Sequence, residues 1–116
     1  MYTIQALWTA AHHNIGTKFI ICNNHSYRLL KLNISAYWKE RDIPRREYPE
    51  MFSITNPDLD FVTISQGLGV PAVKVEKPED IEPAIKNMLN TDGPFLIDLY
   101  VETDADHHKV SCKCGQ

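Results

Sequence analysis

A three-layer α/β fold, a mostly parallel sheet with helices on both faces, is predicted by three observations on this 116-residue chain. Short apolar runs alternate with segments whose apolar residues recur at helical spacing. The run Lys18 to Cys22 lacks polar alternation, as a strand covered on both faces does. Helix and strand signals follow one another singly rather than in blocks, and that order produces parallel sheets with crossover helices.

The elements follow in order. From Tyr2 to His13, Ile4, Leu7, Trp8 and Ala11 stand at i, i+3, i+4 and i+7, which predicts a helix with one buried stripe. Gly16 is its expected left-handed C-cap. The first strand is Lys18 to Cys22. Tyr27, Leu30, Ile34, Tyr37 and Trp38 mark a second helix to about Lys39. Between Arg41 and Pro57 the pattern breaks. Pro44, Pro49 and Pro57 remove amide donors there, and charges crowd the stretch, so a long loop is expected. Loops of that length in compact domains are often functional. Asp58 to Leu68 is a helix with Phe61, Ile64 and Leu68 inward and Gly69 as its stop. Ala72 to Val75 is a short strand. Pro78 to Asn90 is a helix with Ile81, Ala84, Ile85, Met88 and Leu89 on one face. Pro83 is tolerated there if the helix begins near Asp80. Asp92-Gly93-Pro94 is a turn, and Phe95 to Val101 the last strand. One oddity stands out: a doubly wound unit normally begins with a strand, and here a helix comes first.

Bulk properties narrow the class. The length suits one small domain. Apolar residues make up 43% and charged residues 23%, ordinary for a soluble globular protein and too apolar for disorder. A net charge of −3 argues against nucleic acid as a partner. No apolar run approaches the roughly 18 residues that would span a bilayer, and the first residues lack a signal-peptide pattern. Three cysteines, one inside an apolar strand, make no disulfide framework. A cytoplasmic location is therefore expected.

The chemistry gathers at Asn23-Asn24, His25, Ser26 and Tyr27, where a predicted strand turns into a helix. In open α/β sheets, ligands bind outside the carboxyl ends of the strands. Asn24 offers a side-chain carbonyl and the backbone near Ser26 another oxygen, the donors a hard cation such as Mg²⁺ takes. Amides at the start of the Tyr27 helix suit a phosphate. The same residues also suit an Asn-rich turn whose amides satisfy local backbone groups.

A longer string weighs between these. Tyr2 to Ala11, Asn14-Ile15, Phe19 to Asn24 and Ser26-Tyr27 closely resemble thiamine-diphosphate enzymes of the acetolactate synthase and 2-oxo acid decarboxylase family. Within that family the string is most similar to benzoylformate decarboxylases. Pro57 to Phe61, Gly69-Val70 and Asp92 to Asp98 continue the resemblance, so it covers the chain to about Val101. The family motif is Gly-Asp-Gly, a gap of about two dozen residues, then Asn-Asn. The match implies the C-terminal, thiamine-diphosphate-binding domain, here a partial one over residues 1–101 with a polar tail at 102–116.

By that resemblance Asn24 is a side-chain metal ligand, Ser26 a main-chain metal ligand, and the Tyr27 amide approaches the diphosphate. Leu29 and Leu30 fall where the family lines the pocket near cofactor and substrate. His25 replaces the small residue common at its position; its imidazole reaches the diphosphate or points to solvent. No catalytic residue is assigned within the chain. The Gly-Asp-Gly, whose aspartate is a further Mg²⁺ ligand, would end just before Met1. The resemblance thus implies an N-terminally truncated domain lacking its first strand. The pyrimidine-binding domain and its glutamate, which in the family come from a second subunit, are expected partners, and a homo-oligomer is implied. In the full-length parent, the C2 carbanion of thiamine diphosphate would attack a 2-oxo acid, carbon dioxide would leave, and the adduct would be protonated or transferred. The isolated chain is expected to bind Mg²⁺ and cofactor weakly and to be inactive. A non-catalytic binding or assembly module that kept the fold is the alternative.

Other residues read more plainly. Cys112 and Cys114, with His107-His108, lack the spacing of a zinc site. His12-His13 suit a helix C-terminus. Trp8, Tyr37 and Trp38 are expected as core or interface aromatics. Arg41, Arg45 and Arg46 belong to a solvated loop, or steer an anionic substrate or sit at a subunit contact.

Overall fold

The computed structural model describes residues 3–102. In chain order these form helix α1 (Ala6–His12), strand β1 (Lys18–Asn23), helix α2 (Arg28–Glu40), a 3-10 turn at Glu50–Phe52, helix α3 (Phe61–Gly67), strand β2 (Ala72–Val75), helix α4 (Ile81–Asn90) and strand β3 (Phe95–Tyr100). They fall into two compact units. The first holds the chain up to Asn23 together with Leu59–Val101; the second holds Asn24–Asp58.

The first unit is a parallel three-stranded sheet in the order β1-β3-β2. The last strand in sequence is therefore central in space. Its residues alternate between two cores, as a strand buried on both faces requires. Phe95 and Ile97 pack with Val75 and with Ala84 and Met88 of α4. Leu96 points the other way, to Leu7 of α1 and to Val70 just beyond α3. Helices thus cover both faces of the unit, the predicted three layers. Ser65 of α3 is fully buried and donates its hydroxyl to the Val70 carbonyl at 3.0 Å, tying the end of that helix to the start of β2. Among the described residues no helix is long and apolar enough to cross a membrane.

Four expectations need correction. Trp8 is not part of the buried stripe of α1. It is 53% exposed, and Leu7 and Ala10 are the buried residues. At 100° per residue Trp8 falls on the flank of the stripe, where its ring stacks on His12 at 4.7 Å. The left-handed residue after α1 is Asn14 (φ 47°), not Gly16. Asparagine tolerates that conformation, and Gly16 answers a different need, since a Cβ there would meet the Asp92 carbonyl at 3.0 Å. Strand β1 is covered on one face only. Phe19 and Ile21 pack against the α1 core, whereas Ile20 is 54% exposed and Cys22 is exposed. Similarly, Ala84 and Met88 carry the buried face of α4, while Ile81, Ile85 and Leu89 remain exposed. Gly69, in contrast, stops α3 as expected, with φ at +84°.

Helix α3 begins with a strong cap. Asp60 accepts from the Thr63 amide at 2.9 Å and from its hydroxyl at 2.6 Å. The Thr63 hydroxyl, then its amide, hold the Asp60 carboxyl below the usual carboxylate range. A carboxyl lowered by folding stabilises the fold above its ordinary value of about 3.9 and loses that contribution as pH falls through the lower folded value. Asp60→Ala should therefore be less stable near neutrality and lose less on acidification. Urea titrations at about pH 6 and about pH 3 check this, the gap between parent and variant narrowing at the lower pH.

In the second unit, Trp38 is the buried residue of α2. The stretch 41–57 is irregular, as predicted, yet it is anchored. The Tyr48 hydroxyl lies 2.8 Å from Ser35 Oγ, and its ring stacks on Trp38 at 5.9 Å. Lys31 and Arg45 both place their cations within 6 Å of that ring. Arg41 lies over Tyr37. Two of the loop arginines thus lie over aromatic rings while staying exposed, as a solvated loop predicts. His107, His108, Cys112 and Cys114 lie outside the described residues.

Candidate functional site

The chain leaves β1 at Asn23, a buried residue whose carbonyl accepts from the Val101 amide at 2.9 Å. The six predicted site residues, Asn24, His25, Ser26, Tyr27, Leu29 and Leu30, then follow within one turn and the first turn of α2, all in the second unit. Asn24 Oδ1 accepts the Ser26 amide at 3.2 Å, an Asx-type turn. His25 takes the left-handed conformation (φ 51°), which reverses the chain at that point. Its Nδ1 is 3.5 Å from an Asp58 carboxylate oxygen that is largely exposed, so the contact contributes little.

A second strand of chain braces the turn. Ser26 forms an antiparallel bridge with Ser53. The Tyr27 amide donates to the Phe52 carbonyl at 2.9 Å, and the Ile54 amide to the His25 carbonyl at 2.8 Å. The Ser26 hydroxyl also donates to Phe52 O at 3.1 Å, and Ser26 is only 7% exposed. In such a bridge the flanking residues bond across, so the N–H and C=O of Ser26 itself point away from the partner segment. The Ser26 amide meets Asn24 Oδ1 on that outer side. Both oxygens expected to bind metal, Asn24 Oδ1 and the Ser26 carbonyl, therefore belong to the same side of the turn.

The Tyr27 amide, expected to approach a diphosphate, is instead engaged by Phe52. The reason is the 50–54 segment, which pairs with the turn. The start of α2 has no side-chain cap. An anion there would meet the dipole of a 13-residue helix through the next amides in the chain. Leu29 is 69% exposed and Leu30 is also exposed, as are Tyr27 and Met51. These residues give the site an apolar, solvent-facing wall.

Among the described residues no group of three His, Cys, Asp or Glu side chains is placed to hold a metal. The turn offers the neutral oxygens of Asn24 and Ser26, and the Asp58 carboxylate beside it faces His25. The six expected residues all lie in the short stretch from Asn24 to Leu30, which sequence reasoning reads directly. Sequence reasoning missed the Phe52–Ile54 brace, which lies 26 positions away from Ser26 in the hydroxyl contact and carries no periodic signal.

Comparison with known proteins identifies the family. The family described as thiamine pyrophosphate enzyme, C-terminal TPP binding domain, matches residues 1–99. The chain is 34% identical over 102 residues to benzoylformate decarboxylase of Pseudomonas aeruginosa, covering 88% of this chain and 18% of that protein. It is also 34% identical over 107 residues to the chloroplastic acetolactate synthase 1 of Oryza sativa subsp. japonica, covering 87% of this chain and 16% of that one. The solved thiamine diphosphate-dependent 4-hydroxybenzoylformate decarboxylase of Rhodococcus jostii RHA1 superposes with a TM-score of 0.74 at 33% identity, over 90% of this chain and 18% of that one. The chain spans less than a fifth of the length of each of these relatives. With the family matched over most of its length and the parallel sheet shared with a solved relative, this chain belongs to the C-terminal thiamine pyrophosphate-binding domain family of the thiamine pyrophosphate enzymes.

Proposed function

We propose that this chain is part of a thiamine diphosphate-dependent enzyme acting on 2-oxo acids, a decarboxylase or carboligase, and supplies part of its Mg²⁺–diphosphate anchor. The carrying observation is the shared side of Asn24 Oδ1 and the Ser26 carbonyl on a braced turn that leads into an uncapped helix. These donors suit Mg²⁺, which takes oxygen ligands and bridges to phosphate oxygens. In this reading Asn24 and Ser26 bind the metal, amides at the start of α2 take the diphosphate, and Leu29 and Leu30 exclude water on one side. When bound, thiamine diphosphate supplies the carbanion that attacks a 2-oxo acid. The chain's residues bind and orient it.

The fit is partial. The donor set holds two neutral oxygens, and by the family resemblance the carboxylate that would complete it belongs to a Gly-Asp-Gly that this sequence does not contain. Further polypeptide and a second subunit would supply that ligand and the pyrimidine-binding surface. The 116 residues alone should bind Mg²⁺–thiamine diphosphate no more tightly than millimolar and should not turn over 2-oxo acids. Calorimetric titration tests this, and micromolar binding would overturn it. One observation favours the alternative of a non-catalytic module: Asn24 Oδ1 already accepts a hydrogen bond from its own turn, so the turn is satisfied without metal.

A further inference from the structure

Lys31, Ser35 and Trp38 stand at i, i+4 and i+7 of α2, so they lie along one face of the helix. Tyr48 of the proline-broken loop docks on that face. Its ring stacks on the buried Trp38, and its hydroxyl is 2.8 Å from Ser35 Oγ. The Lys31 ammonium lies 5.7 Å from the centroid of the Tyr48 ring, and the Arg45 guanidinium 5.8 Å. Two cations that near one centroid are also near each other. The ring attracts each of them but does nothing to offset their mutual repulsion.

Donors remain to be used at this place. Lys31 is half-buried, and its ammonium forms no ion pair with any carboxylate among the described residues. Glu47 and Glu50, the acids that flank Tyr48 in sequence, are exposed and do not pair with it. Ser35 and Tyr48 share one hydrogen bond, whichever of them is the donor. Two hydroxyls carry two protons, so one O–H is left to donate. The Arg45 guanidinium adds a planar fork of N–H groups. A group that accepts from all of these is an anion with several oxygens. A phosphate dianion matches the two cations in charge and offers more oxygens than a carboxylate.

We propose that Lys31, Arg45 and the Ser35–Tyr48 hydroxyl pair form a binding site for a phosphate group, free or carried as the monoester of a small molecule. The site uses side chains rather than helix amides, and it needs no Mg²⁺. Lys31 and Ser35 belong to α2, whereas Arg45 and Tyr48 belong to the loop, so a bound phosphate ties the loop to the helix. The same loop runs on into the segment that braces the Asn24–Tyr27 turn through Phe52 and Ile54. Occupancy therefore steadies that brace.

The test is a titration of inorganic phosphate into the labelled full 116-residue chain without Mg²⁺, read by NMR of the side chains, with chloride at matched ionic strength as control. The expected result is saturable shifts at the Lys31 side-chain terminus, Arg45 Nε and the Tyr48 ring, with a dissociation constant in the low millimolar range. Lys31→Gln and Arg45→Gln should each weaken binding by about tenfold, and Lys31→Arg should stay within about twofold of the parent. The parent's shifts decide the matter even if a variant folds poorly. A parallel titration with methyl phosphate separates the sources. Binding at least as tight as that of inorganic phosphate assigns the site to a monoester, and weaker binding assigns it to the free anion; either supports the proposal. Three results would each overturn it. The shifts could be absent or reproduced by chloride, be confined to Asn24, Ser26 and the amides that open α2, or titrate identically in both glutamine variants.

Discussion

Leu96→Ala should destabilise the first unit by about 4–5 kcal/mol, toward the upper part of the range for buried leucines. Leu96 is 1% exposed in the central strand, in register with Phe19 on one side and Ala72 on the other. It packs on Leu7 and Val70, and it also borders the cavity beside β1. Removing its methyl groups would enlarge a space that already exists, and two ordered neighbouring strands leave little freedom to collapse into it. Domains of this size are stable by only about 5–15 kcal/mol, so the loss is a large fraction of the total. Urea titration should show the midpoint falling with an unchanged slope. A variant as stable as the parent would mean the sheet packs differently from this account.

Asn24→Ala should lower the affinity for Mg²⁺–thiamine diphosphate by at least about tenfold in any form of the protein that binds it, because in the proposed reading Asn24 is a metal ligand. The same change removes the Oδ1 acceptor of the Ser26 amide, at a stability cost of about 1 kcal/mol. The two effects separate cleanly. Affinity is read from titrations, stability from melting without metal. Asn24→Asp should keep the acceptor and strengthen Mg²⁺ binding, since it adds the missing negative charge. If Asn24→Ala melts lower but binds unchanged, Asn24 is a turn residue and no ligand.

Much of the fold was legible because its signals are local. The apolar run from Phe95 marked the last strand, and β3 forms there at the centre of the sheet. Gly69 marked the stop of α3, and Pro83 fits a helix that begins near Asp80, as α4 does at Ile81. What was not legible depends on neighbours far away in sequence. The exposure of Ile20 follows from where α4 lies over the sheet, and nothing within Lys18–Asn23 records that. Trp8 and Leu7 are adjacent apolar residues, and only the packing of α1 decides which is inward. The candidate site divides the same way. The turn from Asn24 to Tyr27 is one contiguous motif and could be read directly. Its brace at Phe52–Ile54 is a pairing across a proline-broken loop, for which the sequence offers no period.

The central claim, that the Asn24–Ser26 turn and the start of α2 are part of a metal–diphosphate anchor, is tested most directly by residue-resolved NMR. Thiamine diphosphate would be titrated into the labelled chain with and without Mg²⁺. The account predicts Mg²⁺-dependent shifts confined to Asn24, Ser26 and the first residues of α2. They should saturate only in the millimolar range and vanish in Asn24→Ala. Shifts absent from the turn at saturating cofactor, or identical with and without Mg²⁺, would contradict it.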